Sequence, residues 1–230
     1  MLFSCRCPVC NYEQAGNDIC YLCFAQFTFL NNACKKCQEP FEYSVAGVDT
    51  CVKCANEELN FYSNMRCALV YNEILKNMII RFKNNSDFVL KNIFNKFIRN
   101  CAQDLIQDSI IIPVPLYKKR LIWRGYNQSI VLAENLLKFT NATLLKEGLI
   151  RTKDTNLFQS KTIIQRKEKV VGAFIINSRY KNYIKGKKIT ILDDVITTGS
   201  TVFECAKILS KYEPSEINII AIGRRLKKKS

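Results

Sequence analysis

Three stretches of the sequence concentrate side chains able to do chemistry. In the first quarter, eight cysteines form four pairs of one spacing: Cys7 and Cys10, Cys20 and Cys23, Cys34 and Cys37, Cys51 and Cys54. Two intervening residues let a tight turn aim both thiolates at one ion, and two such turns supply the four soft ligands of a tetrahedral zinc site. The gaps between pairs, nine, ten and thirteen residues, fit two structural Zn(2+) sites in tandem, the first four cysteines on one ion and the last four on the other. An interleaved pairing satisfies the same spacing, and Cys5 offers the first site a further thiolate. Four repeats argue against a lone redox pair, and the spacing differs from the clustered ferredoxin run. Closed sites leave no place for a reactive water, so these metals are expected to hold structure.

The second stretch is LDDVITTGST, 192 to 201. Asp193 and Asp194 accept hydrogen bonds and donate none when ionised, which suits the diol of a ribose or a divalent ion. Thr197, Thr198, Gly199, Ser200 and Thr201 offer hydroxyls and successive amides that can surround a phosphate, with the positive end of a following helix behind them. The alternative is an ordinary helix start, in which Thr201 and Glu204 have the spacing of a capping box. The third stretch, PVPLYKKRLIWRGYNQ from 113 to 128, gathers Lys118, Lys119, Arg120 and Arg124 around Trp123 and Tyr126.

Positioning these groups requires strands that end at them. Short apolar runs at 66–71, 109–115, 142–145, 170–176, 187–194 and 216–223 read as strands. Amphipathic periodicity over about 73–83, 87–105, 127–139 and 201–211 reads as helices. Their alternation predicts an α/β fold, a mostly parallel sheet covered by helices on both faces, behind a cysteine-rich region at 1–60. In such sheets ligands bind beyond the carboxyl ends of the strands where strand order reverses. The basic and acidic stretches both follow strands, so both are expected to face one crevice.

The formal net charge is +15, from 35 lysines and arginines against 20 acids, which favours polyanionic partners. No window is long and apolar enough for a membrane helix, and the N-terminus lacks the pattern of a secretory signal, so a cytoplasmic location is expected. The chain contains no histidine. Hydrolytic triads built on that residue are excluded, and a general base would come from Asp, Glu, a tuned Lys or a leaving pyrophosphate.

ILDDVITTGST (191–201) resembles the phosphoribosylpyrophosphate-binding motif of the type I phosphoribosyltransferases. The run at 113–128, preceded by paired cysteines, is similar to the ComF family of competence proteins, and the likeness extends over essentially the whole chain. It implies a double zinc ribbon at 1–60 and a type I phosphoribosyltransferase-like domain at 61–230 with a basic C-terminal tail. It further implies a role in DNA uptake during natural transformation, with single-stranded DNA, a helicase and recombination-loading proteins as partners. On this chain Asp193 and Asp194 match the ribose- and Mg(2+)-proximal acids, Thr197 to Thr201 the 5′-phosphate loop, and Arg120, Arg124, Gly125, Tyr126, Asn127 and Gln128 the basic run. Lys118, Lys119, Arg120 and Arg124 would serve the leaving group. Arg151 and Thr155 match a downstream segment in which Phe158 stands where the family has glutamine. Arg166 and the GAF at 172–174 match a second, in which Lys169 replaces asparagine. DNA contacts are expected from Arg120, Trp123, Arg124, Tyr126, Arg151 and Arg166 and from the tail residues Arg224, Arg225, Lys227, Lys228 and Lys229. The other expectations from these residues are an active magnesium-dependent phosphoribosyltransferase with an unidentified acceptor, and a zinc-ribbon interaction or regulatory protein.

Overall fold

The computed structural model describes residues 5–14, 18–43, 47–56, 61–85, 87–155 and 163–226. Its centre is a five-stranded, all-parallel sheet built from β3 (Asn64–Val70), β4 (Ile110–Pro113), β5 (Thr143–Leu144), β8 (Lys188–Ile196) and β9 (Glu216–Arg224), in the order β3-β9-β8-β4-β5. The central strands β9, β8 and β4 send buried apolar residues to both faces, as a sheet covered on both sides requires. On β9, Ile217, Ile219 and Ala221 point into one core while Ile220 and Ile222 point into the other.

One face is covered by α3 (Glu73–Asn85), α4 (Phe88–Ile106) and α6 (Gln128–Leu136), which contribute Leu75, Phe82, Leu90, Phe94, Leu132 and Leu136. The other face receives α8 (Ser200–Ser210), through Val202, Cys205, Ala206 and Leu209, and a two-stranded antiparallel unit made by β6 (Leu149–Arg151) and β7 (Phe174–Ile176). From β4 the chain moves outward to β5, and from β8 it moves the opposite way to β9. Strand order therefore reverses between β4 and β8, and the crevice that such a reversal opens lies past Pro113 and Ile196.

The expected strand at 170–176 is corrected. Residues up to Val170 belong to a helix, α7 (Ile163–Val170), the chain turns at Gly172, and only Phe174–Ile176 is extended. That strand pairs with β6 and does not enter the main sheet. The basic stretch, for which the sequence periodicity gives no helix, forms the helix α5 (Lys118–Arg124), ended by Gly125 in the left-handed conformation. Leu, Ile, Trp, Lys and Arg are adequate helix formers, and the residues before Lys118 give no periodicity that would announce the start.

The cysteine-rich segment carries the short strands β1 (Cys5–Arg6) and β2 (Glu13–Gln14) and the single-turn helices α1 (Tyr21–Phe24) and α2 (Val52–Ala55). It is docked at several points. Leu30 N–H donates to the Ala68 carbonyl at 3.1 Å and Val70 N–H to that of Thr28 at 2.8 Å, so the chain between the cysteine groups runs along the edge of β3. Phe27 and Phe29 close edge-on upon Phe97 of α4, with ring centroids 5.5 and 5.6 Å away. These rings cover protein core, as expected of aromatics in so small a unit.

Phe97 is buried beneath both of these rings. Phe97→Ala is therefore expected to lower unfolding stability by about 3 kcal/mol or more. In limited proteolysis it should expose the segment between the cysteine groups to cleavage before the sheet domain is cut.

Candidate phosphate site and cysteine-rich metal centres

Each cysteine group is assembled by its local backbone. Cys7, Cys10, Cys20 and Cys23 bring their sulfurs within 4.8 Å of one another, and Cys34, Cys37, Cys51 and Cys54 do the same. Tandem pairing is thus the observed arrangement, and neither group includes Cys5. The two knuckles repeat one geometry. Cys20 N–H donates to Cys7 Sγ and Cys51 N–H to Cys34 Sγ, both at 3.3 Å, while Asn11 and Gln38 follow their knuckles at positive φ. Burial is the largest influence on the Cys7 thiol and opposes its ionisation. The backbone amides of Cys20, Cys10 and Val9 outweigh it and bring the pKa down to about 6. Four convergent sulfurs with amide support fit a structural zinc ion.

In the crevice, the acid pair lies within β8, three and two residues before its end at Ile196, so the strand runs on past the 194 expected from sequence. Asp194 is held by Lys83, at the end of α3, with 2.6 Å between Nζ and Oδ2. Successive strand residues point to opposite faces; the electrostatic neighbours of Asp193 include Arg151 and Cys205, the latter on α8. Burial, reinforced by the charge of Asp194, pushes the Asp193 carboxyl up to about 7 against the pull of the Asp194 amide, Lys83 and Arg151. Four cations, Lys83, Arg120, Arg124 and Arg151, act on this pair or on one another. Burial lowers the basicity of Arg124 and Arg151, with Arg120 adding repulsion to both.

The basic run is locked in place by its own polar residues. Asn127 caps α6 by accepting from Ser129 N–H and donates to the Val114 carbonyl, both at 3.0 Å. Arg124 Nη1 donates to Gln128 Oε1 at 2.6 Å, and the Tyr126 hydroxyl donates to the Phe82 carbonyl. Among the described residues, Arg124 Nε, Gln128 Nε2 and Arg151 Nε are buried donors with no hydrogen-bond acceptor. Such donors are costly within a protein and would be satisfied by the oxygens of a phosphorylated ligand.

Beside the acids, residues 193 and 195–202 line a small cavity of about 50 Å³. The N-cap of α8 is Gly199, at φ +82° and without a side-chain cap. A Cβ there would stand 2.7 Å from the Phe203 ring, so only glycine fits both the backbone and the space. Thr198 Oγ1 and Ser200 Oγ lie 2.9 Å apart at the cavity wall. The capping-box alternative does not form, because Glu204 instead accepts from Gly172 N–H at 2.8 Å. The Ser200 amide donates to Thr198 Oγ1 at 3.4 Å, and the first turn of α8 lines the cavity; helix starts of this kind are where anions bind.

The structure redistributes other expected residues. Lys118 and Lys119 are exposed on α5, as are Ile122 and Trp123, the last two at 73% and 78% of their surface. Arg151 donates to Thr155 Oγ1 and lies over the Phe174 ring at 5.3 Å, which places it in the crevice wall. Tyr126 is half-buried and tethered to α3, not displayed as a stacking surface. Arg224 is corrected most sharply. It is no part of a solvated tail but the last residue of β9, 8% exposed, with its guanidinium turned onto backbone carbonyls. Arg225 is exposed. Lys227, Lys228, Lys229 and Phe158 lie outside the described residues, as does the side chain of Arg166; Lys169 is exposed on α7. Sequence reasoning missed Lys83, whose only signal is its place at the end of an amphipathic helix.

A family profile described as the phosphoribosyl transferase domain matches residues 149–230, the span from β6 through β9. With the parallel sheet and the loop at the start of α8, the fold is that of a type I phosphoribosyltransferase-like domain. Relatives extend the likeness to the cysteine-rich end. Competence protein F of Haemophilus influenzae is 29% identical over 230 residues, 96% of this chain and 98% of its own. Competence protein ComFC of Streptococcus pneumoniae is 24% identical over 223 residues, 96% of this chain and 88% of its own. The DNA utilization protein YhgH of Escherichia coli strain K12 is 32% identical over 116 residues, half of this chain and 49% of its own. Over nearly its whole length the chain is thus similar to proteins named competence protein F and ComFC.

A carboxyl whose folded-state pKa is raised favours the folded protein while neutral, and that advantage is lost as pH rises through about 7. Asp193→Asn should therefore unfold at nearly the wild-type temperature at pH 3, below the ordinary carboxylate range, gain on the wild type as pH rises from about 4 to about 7, and be more stable at pH 8 by roughly 2–4 kcal/mol. Thermal melts across that range check it; equal shifts at both pH values would contradict the assignment.

Proposed function

We propose that the protein acts in DNA uptake during natural transformation, binding single-stranded DNA and holding a phosphoribosylpyrophosphate-type ligand in the crevice between β4 and β8. The observation that carries the ligand site is the juxtaposition of Asp193 and Asp194 with the start of α8 and with Lys83, Arg120, Arg124 and Arg151. In this reading the loop 197–201 takes the 5′-phosphate, where hydroxyls and amides converge. Asp193 and Asp194 accept from the ribose diol and offer the hard oxygens that Mg(2+) prefers. Arg120 and Arg124 face the pyrophosphate, with Lys118 and Lys119 further out on the same helix. Magnesium, when bound, would neutralise charge on the pyrophosphate.

The DNA role rests on the names of the full-length relatives and on the distribution of charge and exposed rings. Lys119 and Trp123 lie four residues apart on α5, as do Lys118 and Ile122, so each pair shares a face. An exposed indole beside lysines suits base stacking with backbone contact, without sequence preference. Arg225 is a further exposed cation, and the sequence after it adds three lysines. Two regions complete the reading: 1–60 as a double zinc ribbon and 61–230 as the phosphoribosyltransferase-like domain. Helicase and recombination-loading proteins are the proposed partners, in the cytoplasm. Among the described residues no helix is long and apolar enough to cross a membrane.

A second reading, turnover, is favoured by the same acid pair. Phosphoribosyl transfer develops positive charge at the anomeric carbon as pyrophosphate leaves, and preorganised carboxylates and cations lower such a barrier. It predicts magnesium-dependent pyrophosphate release with a suitable acceptor, lost in the Asp193→Asn/Asp194→Asn variant.

Single-strand binding should weaken steeply with salt. Trp123→Ala should lose about 1–3 kcal/mol of it, uniformly across sequences, measured by fluorescence anisotropy. Deleting the gene should abolish transformation, and the Trp123→Ala protein should restore it poorly. Normal transformation in the deletion strain would overturn the functional proposal.

A further inference from the structure

Arg224 is a buried cation that the crevice chemistry does not use. It closes β9 beside the end of β8, opposite Ile196 in register. Its Nε donates to the Cys37 carbonyl at 2.9 Å, and its Nη1 donates to the carbonyls of Ile196, at 3.3 Å, and Thr197. Cys37 belongs to the second cysteine group, and Ile196 and Thr197 line the phosphate cavity. One planar guanidinium thus spans a cysteine knuckle and the anion loop.

A second route runs in parallel. The Tyr62 hydroxyl donates to the Lys36 carbonyl at 2.6 Å, within the same knuckle, and the Lys36 ammonium donates back to the Tyr62 carbonyl. The Tyr62 ring packs at 5.3 Å on Phe203, the ring whose edge closes on Gly199. The knuckle is itself fixed to the sheet, because Gln38 accepts from Cys67 N–H and donates to the Cys34 carbonyl, both at 3.0 Å. The first cysteine group is attached elsewhere. Arg81 of α3 donates to the Pro8 carbonyl at 2.6 Å, and Lys96 of α4 pairs with Asp18 at 2.6 Å.

We infer that Arg224 is a positioning residue that couples the second cysteine knuckle to the phosphate loop, so that the integrity of the Cys34–Cys54 group, and not of the Cys7–Cys23 group, sets the geometry and anion affinity of residues 196–201. The affinity arm rests on the phosphate reading of the loop; the coupling itself does not. Arg224 forms no ion pair with an acid among the described residues, so the buried guanidinium depends on its carbonyl acceptors, and losing the knuckle carbonyl disturbs the loop carbonyls it also holds.

The test is hydrogen exchange on the full-length protein, with metal content measured in the same samples and affinity for ribose 5-phosphate measured by calorimetry. Arg224→Met should speed exchange across 196–202 by about tenfold while leaving metal content unchanged. It should weaken ribose 5-phosphate by a similar factor, with Arg224→Lys in between. Cys34→Ser/Cys37→Ser should reproduce the loop effect, and Cys7→Ser/Cys10→Ser should not. Tyr62→Phe, which keeps the ring and removes only the hydroxyl, should give a smaller effect confined to the same segment. Unchanged exchange at 196–202 in Arg224→Met, or equal effects from the two cysteine pairs, would overturn the inference. Responsive exchange in a wild-type protein that binds no ribose 5-phosphate would uphold the coupling and sink the phosphate reading.

Discussion

Holding two carboxylates near the end of a buried strand is the constraint around which the crevice is organised. Charge taken out of water must be matched by opposite charge and hydrogen bonds or be neutralised. The fold meets that demand by drawing Lys83 from α3, Arg120 and Arg124 from α5 and Arg151 from β6 to one place. The compensation for Asp193 is partial, which is why its carboxyl sits near 7 while Lys83 binds its neighbour. Among the described residues, Arg124, Gln128 and Arg151 also carry buried donors without acceptors, as do Asn95, Arg99 and Asn218 elsewhere in the chain.

The sheet makes the arrangement possible. Parallel strands covered on both faces leave their carboxyl ends as the accessible surface, and the reversal between β4 and β8 separates the segments that follow them. One segment becomes a basic helix and the other a glycine-started helix. Asn127 and Gln128 show that conspicuous polar residues in a functional stretch can serve the backbone: one caps α6, and the other orients Arg124. The cysteine groups stand outside this chemistry. Their place is to hold a chain too short of apolar core to fold by itself, and to dock it on the edge of β3.

Local signals were legible in the sequence, and distant partnerships were not. The four cysteine pairs, the strand leading into Asp193 and the glycine before α8 depend on neighbours in the chain, and they stand where the spacing placed them. Lys83 lies more than a hundred positions from Asp194, on a helix whose pattern reports only its buried face. Arg224 looked like the start of a basic tail, because its sequence neighbours Arg225 and Lys227 are cationic. Only the register of β9 against β8 shows that it belongs to the strand and is buried. The α7 helix and the β6–β7 pair were misjudged because VVGAFII is apolar throughout, and a short apolar run does not reveal whether it is strand, helix end or both.

The central claim is that the crevice binds a phosphorylated ribose through Asp193, Asp194 and the loop 197–201. Calorimetric titration of the full-length protein with phosphoribosylpyrophosphate and magnesium tests it most directly, with the Asp193→Asn/Asp194→Asn variant alongside and both repeated in the presence of single-stranded DNA. The account predicts saturable binding by the wild-type protein that requires magnesium and is lost in the variant. Absence of binding, or binding that the variant retains unchanged, would contradict it.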